Sequence, residues 1–207
     1  MIHELSHPLA KTLINKLRQS ETDALCFRHH VAELARLLFY EAFRNEPLTG
    51  TNITTWQGEE NFGFIDERDF ILIPILRAGM PMLEGLSDLL PEAASGFLAM
   101  KRDETTHKAV LYYNRVPDCE GKTVVLLDPM VATGGSLGDA IDVIKAKKAR
   151  RIISLNLIGS PEGVSAVEIR HSDIDLYIAQ VDERLSSDKF IVPGLGDAGD
   201  RAYNTPE

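Results

Sequence analysis

The sequence predicts an α/β fold, a mostly parallel twisted sheet flanked by helices, and three observations carry that expectation. Short apolar runs rich in β-branched residues occur at 70–76, 124–127, 151–158 and 174–181, each the length of a buried strand. Stretches with apolar residues at helical spacing separate them, and such alternation builds parallel sheets covered on both faces. No internal repeat or low-complexity segment interrupts the pattern, and 207 residues suit a single domain, 1–207, with a full core.

The net charge of −9, from 22 basic against 31 acidic residues, opposes non-specific nucleic-acid binding, which needs a basic surface. A local basic pocket for an anionic substrate stays compatible with that balance. The two cysteines, Cys26 and Cys119, lack CxxC spacing and suggest a reducing compartment. No stretch approaches roughly 18 apolar residues, and the start, MIHELSHPLAK, has no apolar signal core. A soluble, cytoplasmic protein with no membrane partner is expected. Asn52-Ile53-Thr54 fits a glycosylation acceptor, which reads as chance without a secretion signal.

Taken in order, residues 1–20 read as an extended arm running into a helix. Ser20 with Asp23 fits a capping box, and Phe27, Val31, Leu34 and Leu38 make the stripe of an amphipathic helix over 22–44. The adjacent His29 and His30 diverge around that helix and read as a solvated face rather than a metal site. Pro47, Gly50, Gly58 and Gly63 mark 46–68 as a loop or hairpin excursion. Phe70 to Leu76 is a strand, Arg77-Ala78-Gly79 follows at once, and a helix spans 80–90. An arginine directly after a strand stands where open α/β sheets bind substrates, although a plain surface arginine is the simpler reading. A third strand at 96–100 leads into the charged stretch Lys101 to Thr106 and returns through an extended segment at 107–116. That stretch is either a hairpin tip or a lid bringing Arg102 over an anionic ligand.

Thr123 to Ser136, TVVLLDPMVATGGS, is the stretch around which the chain is organised. A buried strand ends at Asp128, and the small residues Thr133, Gly134, Gly135 and Ser136 follow before a helix. This order sets a carboxylate at the carboxyl end of a strand, beside backbone N–H groups at the positive end of a helix dipole. A sugar phosphate suits both, although an ordinary strand-to-helix turn has the same outline. Leu137, Ala140, Ile141 and Ile144 form the helix stripe, with Ser136 and Asp139 as a capping box. The basic run KAKKARR at 145–151 reads as a helix end favoured by its dipole rather than a nucleic-acid patch. A strand at 151–158, a helix opened by Ser160-Pro161-Glu162 and a strand at 174–181 complete the alternation. In the tail, KFIVPGLGDAGD at 189–200, Pro193 and glycines 194, 196 and 199 forbid regular helix, while Phe190 to Val192 are too apolar for a disordered end. Such a loop can line a pocket with backbone donors and acceptors.

Two motif matches fail on context. Gly194, Gly196 and Gly199 spell the dinucleotide fingerprint, but no βαβ unit or later acidic residue follows. Gly134, Ser136 and Gly138 spell a hydrolase nucleophile elbow, yet 129–135 separate the strand from the serine, and His171 is the one histidine downstream. A serine hydrolase stays the weakest alternative.

The third match is far more specific. LLDPMVATGGS at 126–136 resembles the phosphoribosyl-diphosphate (PRPP) loop of type I phosphoribosyltransferases, and its aspartate-proline-methionine start is similar to that of uracil phosphoribosyltransferases. The resemblance extends in order through PILRAG at 74–79, RDET at 102–105, YYNRVP at 112–117, SPEG at 160–163 and IVPGLGDAGD at 191–200. HPL at 7–9 and YEA at 40–42 add a little in the first third. Lys101 and Phe190 stand where tyrosines are usual, and ERLSSDK at 183–189 departs from the family pattern.

The resemblance implies the type I phosphoribosyltransferase fold, with an arm and helix at 1–45, an extended hairpin arm and a base-binding hood at 182–207. It implies transfer of the phosphoribosyl group of PRPP to uracil, giving UMP and diphosphate. Asp128 would hold the ribose hydroxyls, and Pro129, Met130, Val131, Ala132, Thr133, Gly134, Gly135 and Ser136 the 5′-phosphate. Arg77 and Arg102 would face the diphosphate. Ile191, Gly196 and Ala198 would surround uracil, with Asp197 between base and PRPP. Mg2+ would arrive bound to PRPP, with no protein metal cage. Family members are homo-oligomers, and several are activated by GTP. An RNA-binding regulator of pyrimidine operons on the same fold is the alternative from another class, and the acidic charge opposes it.

Overall fold

The computed structural model describes residues 1–102 and 109–205, excluding the side chains of 101, 102, 109 and 110. The central sheet runs β1-β11-β10-β8-β4-β6-β7. In chain order its first members are β1 (Ile2–Glu4), β4 (Phe70–Leu76), β5 (Ala94–Ser95), β6 (Phe97–Arg102) and β7 (Ala109–Arg115). The same sheet continues through β8 (Thr123–Leu127), β9 (Met130–Val131), β10 (Arg151–Gly159) and β11 (Asp175–Val181). Every ladder is parallel except β6 with β7, and the short β5 and β9 pair with β4 and β10. Off the sheet, β2 (Thr49–Thr55) and β3 (Gly58–Phe64) form an exposed hairpin, and β12 (Arg184–Leu185) pairs with β13 (Ile191–Val192).

Strand alternation divides the core in two. Leu72, Val125, Leu127, Ile153 and Leu155 face α1 (Pro8–Arg18), α2 (Ala24–Ala42), α3 (Met80–Leu89) and α6 (Ala198–Tyr203). Ile71, Ile73, Val124, Leu126 and Ile152 face α4 (Gly135–Lys145) and α5 (Pro161–Arg170). A strand buried on both faces reads as a continuous apolar run, which is why 70–76 and 124–127 were visible.

Several local expectations change. Residues 2–4 are an edge strand of the sheet rather than a bare arm, in parallel register with Leu176 to Ile178; three residues are too few for any periodicity. Asp23, not Ser20, caps α2, its carboxylate accepting the Cys26 N–H at 2.7 Å. The pair on that helix is also split: His29 is exposed but His30 is half-buried. Among the described residues the His30 Nδ1 atom has no hydrogen-bond partner, and burial lowers its pKa. Ser136 lies inside α4, whose N-cap is Gly134 with φ 75, so no serine box opens that helix. Ser160 does cap α5, accepting the Gly163 N–H at 2.9 Å. The basic run is largely spent on contacts, with Lys145 on Asp173 at 2.5 Å, Lys147 on Val116 O at 3.0 Å and Arg151 on Glu46 at 3.3 Å. The tail contains a helix, α6, despite Gly199, because Asp197 caps it through Asp200 N–H at 2.9 Å. Among the described residues no helix is long and apolar enough to cross a membrane.

Candidate active site

From β4 the chain crosses to β6 on one side, and from β8 it crosses to β10 on the other. The carboxyl ends of β4 and β8 therefore flank a topological switch point, where open α/β sheets form a crevice. Arg77 directly follows β4 and Asp128 directly follows β8. Gly79 sits so close to the Leu127 carbonyl that any Cβ there would overlap it, which holds the Arg77 turn flush against β8.

The loop after Asp128 is tied down residue by residue. Asp128 N–H donates to Leu155 O at 3.3 Å, and Asp128 C=O accepts from Asn156 Nδ2 at 2.6 Å. Ser154 Oγ donates to Asn156 Oδ1 at 2.8 Å and orients that amide; both residues are buried. Pro129 C=O accepts from Leu157 and Ile158, and Ala132 C=O accepts the Ser160 hydroxyl at 2.6 Å. Gly134, in the left-handed region, leaves a Cβ no room, since one would lie 2.6 Å from Gly163 O. What these ties enclose is a small cavity of about 60 Å³ lined by Asp128 and residues 130–137. The first-turn N–H groups of α4 at Gly135 and Ser136 have no helical acceptor, and Gly134 supplies no side-chain cap. Backbone donors and a positive dipole end beside a cavity of this size are chemically suited to an anion.

Half-buried Asp128 meets that site from the strand side. Burial pushes its carboxyl up to about 7, and a long Met130 N–H contact at 3.5 Å offsets little of that. Arg77 crosses to the tail instead, donating from Nη2 to Asp200 Oδ1 at 3.1 Å and Thr205 Oγ1 at 3.2 Å. Its guanidinium also lies 5.9 Å from the Tyr203 ring centre.

The tail is fastened from three sides. Asp182, buried, takes a bidentate Arg18 at 2.6 and 2.9 Å and the Gly194 N–H at 2.9 Å, while Arg18 also donates to Gly194 O at 2.5 Å. Arg201 lies 4.6 Å over Phe27 and donates to Leu17 O, to Leu195 O at 2.8 Å and to Gln19 O at 2.6 Å. Arg28 reaches Ala202 O at 2.7 Å. Gly196, with φ 78, hydrogen-bonds through neither its N–H nor its C=O to any described residue.

Of the residues singled out in the sequence, Asp128 and residues 130–136 line one cavity that runs from the end of β8 into the first turn of α4, and Arg77 bridges from the sheet to the segment holding Asp197 and Ala198. Ile191 and Ala198 are buried, and Asp197 serves as the helix cap of α6. Arg102 ends β6, but its side chain and residues 103–108, with the hairpin-or-lid question, lie outside the described residues; β6 and β7 do pair antiparallel on either side. Phe190 is exposed. Sequence reading missed Asn156, Ser154, Arg18, Asp182 and Arg201, because a buried amide or arginine in an ordinary strand or helix carries no local signature. The hydrolase reading fails: His171 is buried, bonded through Nε2 to Gly138 O at 3.0 Å, and faces Lys145 rather than Ser136.

Comparison with known proteins agrees with this geometry. The family model described as uracil phosphoribosyltransferase matches residues 4–205. A uracil phosphoribosyltransferase of Aquifex aeolicus is 41% identical over 203 residues, covering 98% of both chains. That of Dictyoglomus turgidum is 39% identical over 206 residues, covering 99% of this chain and all of its own. A solved structure of an Aquifex aeolicus protein superposes with a TM-score of 0.95 at 41% identity, covering 98% of each chain. A purine phosphoribosyltransferase from Pyrococcus horikoshii, 19% identical with a TM-score of 0.52, covers 74% of this chain and 83% of its own and shares the fold. With the family model matched over residues 4–205 and relatives about 40% identical across nearly the full length, the chain belongs to the uracil phosphoribosyltransferase family.

Proposed function

We propose that this pentosyltransferase binds PRPP along the ends of β4 and β8 and reads uracil with its tail. The unpartnered backbone of Gly196, on a segment otherwise pinned at Gly194 and Leu195, is the observation that carries the base site. In this reading Asp128 accepts from the ribose hydroxyls, and the loop from Pro129 to Ser136 takes the 5′-phosphate. Arg77 and Arg102 face the diphosphate. Backbone groups of Ile191 and Gly196 match the donor–acceptor edge of uracil, while Asp197 and Ala198 close the pocket. Cytosine presents the opposite pattern on that edge and would leave buried groups unpaired.

As the C1′–diphosphate bond breaks and uracil N1 bonds to C1′, positive charge builds on the ribose and negative charge on the leaving group. The N1 proton is released. Arginines held at the crevice stabilise the leaving group by position and charge rather than by covalent chemistry. Among the described residues no group of three or more His, Cys, Asp or Glu could cage a metal. In this reading Mg2+ would arrive with PRPP, and Asp128, the carboxylate directly after β8, would be the residue adjacent to it. Bound there, the ion would neutralise diphosphate charge. A homo-oligomer, GTP activation and a cytoplasmic location belong to the same reading and rest on the family resemblance; light scattering and a GTP titration address the first two.

A base panel tests the function directly. With Mg2+ and PRPP, uracil should be converted to UMP while adenine, guanine and hypoxanthine are inert. Equal turnover of any purine would overturn the substrate assignment.

A further inference from the structure

We propose that Arg18 and Asp182 are positioning residues for uracil, acting through Gly194 on the backbone that reads the base; the inference rests on the tail being the base site. The Asp182 carboxylate is saturated. Oδ1 accepts from Arg18 Nη2 at 2.6 Å and Gln180 Nε2 at 3.0 Å, and Oδ2 accepts from Arg18 Nη1 at 2.9 Å and Gly194 N–H at 2.9 Å. Arg18 Nη1 also donates to Gly194 C=O at 2.5 Å. One ion pair thus grips both polar groups of a single glycine.

The pair is more than tail adhesive. Gly194 has φ 63, and a Cβ there would overlap Ile191 O, so the turn from Ile191 to Gly194 is tight. Fixing both peptides at Gly194 therefore fixes the plane of the chain on either side, towards Ile191 and towards Gly196. Adhesion alone is already provided by Arg201 and Arg28, which hold Leu195 and Ala202 without touching Gly194. A buried bidentate pair has a fixed angle, whereas a single point contact would let the loop rotate. Removing one partner leaves the other charge buried without its complement, so the loop must move to hydrate it.

The test uses the full chain with Asp182→Asn, Arg18→Lys and Gly196→Val, reading KM for each substrate, kcat, and uracil-to-cytosine preference. Asp182→Asn should raise KM for uracil at least tenfold and narrow the preference, with KM for PRPP within about twofold. Arg18→Lys, which keeps charge but loses the fork, should fall between wild type and Asp182→Asn. If Asp182→Asn does not fold, Arg18→Lys alone decides by the same selective rise in uracil KM. Unchanged uracil KM, or equal rises for both substrates, overturns the positioning role. Gly196→Val separates the causes: if it too binds uracil normally, the base site itself is misplaced, whereas loss of uracil there alone condemns only the clamp.

Discussion

Arg77 and Asp200 meet at 3.1 Å across 123 residues of chain, joining the end of a central strand to the tail helix. Arg77 is 55% exposed, so the pair itself contributes at most about 1 kcal/mol to stability. In the proposed reading it links the PRPP side of the crevice to the uracil side. Arg77→Met should shift unfolding by less than about 1 kcal/mol yet lower kcat/KM on the order of ten- to a thousandfold. Thermal melts alongside initial rates check this, and unimpaired catalysis would return Arg77 to the status of a surface residue.

Two neighbouring glycines in the loop should fail differently. At Gly134 a Cβ meets Gly163 O at 2.6 Å and φ is 75, so Gly134→Ala should lose about 1–3 kcal/mol of stability. At Gly135 a Cβ meets only Thr133 Oγ1 at 3.7 Å, and the residue has no positive φ. Gly135→Val should fold normally and lose PRPP binding by filling the phosphate cavity. Calorimetry with near-native PRPP affinity in that variant would refute the cradle.

Asp128 gives stability a pH dependence. Its carboxyl is raised from 3.8 to about 7 in the folded chain, so the native state holds a proton that the unfolded state has released. Stability from this group therefore falls as pH rises from about 4 to 7, and the full penalty stands above 7. Asp128→Asn should be more stable than wild type at pH 8 and indistinguishable from it near pH 3, while losing activity. Urea melts at both pH values read the difference; an advantage greater at low pH would contradict the burial argument.

In the tail, Gly196→Val should abolish uracil binding and leave PRPP affinity within a few-fold, about 1 kcal/mol at most. A Cβ there touches only Arg201 Cδ at 3.4 Å, but φ 78 penalises a branched residue, so the melting curve must be followed as well. Uracil bound normally by a folded variant places base reading elsewhere.

The strands that build the crevice were legible because Phe70 to Leu76 and Val124 to Leu127 are buried on both faces and leave no polar interruption. The loop after β8 was legible through its glycines. The supports beneath it were not: Asn156 and Ser154 lie inside a strand, and only the β8–β10 register brings them under Asp128. Helix α6 was hidden because Gly199 lowers helix propensity, while capping by Asp197 and packing of Ala198 and Ala202 outweigh it. Arg18 could not be paired with Asp182 from sequence, since nothing local marks a partner 164 residues away.

That separation has a consequence in time. The loop after β8 needs only β4, β8, β10 and the start of α5, all emerged by about residue 163. The grip on Gly194 needs the first helix and the last residues together, so during synthesis it closes a few seconds later, at roughly 5–20 residues per second. Contacts of such long span also form late in refolding, because loop closure must precede their reward. The nascent chain can complete the loop after β8 before its tail is clamped.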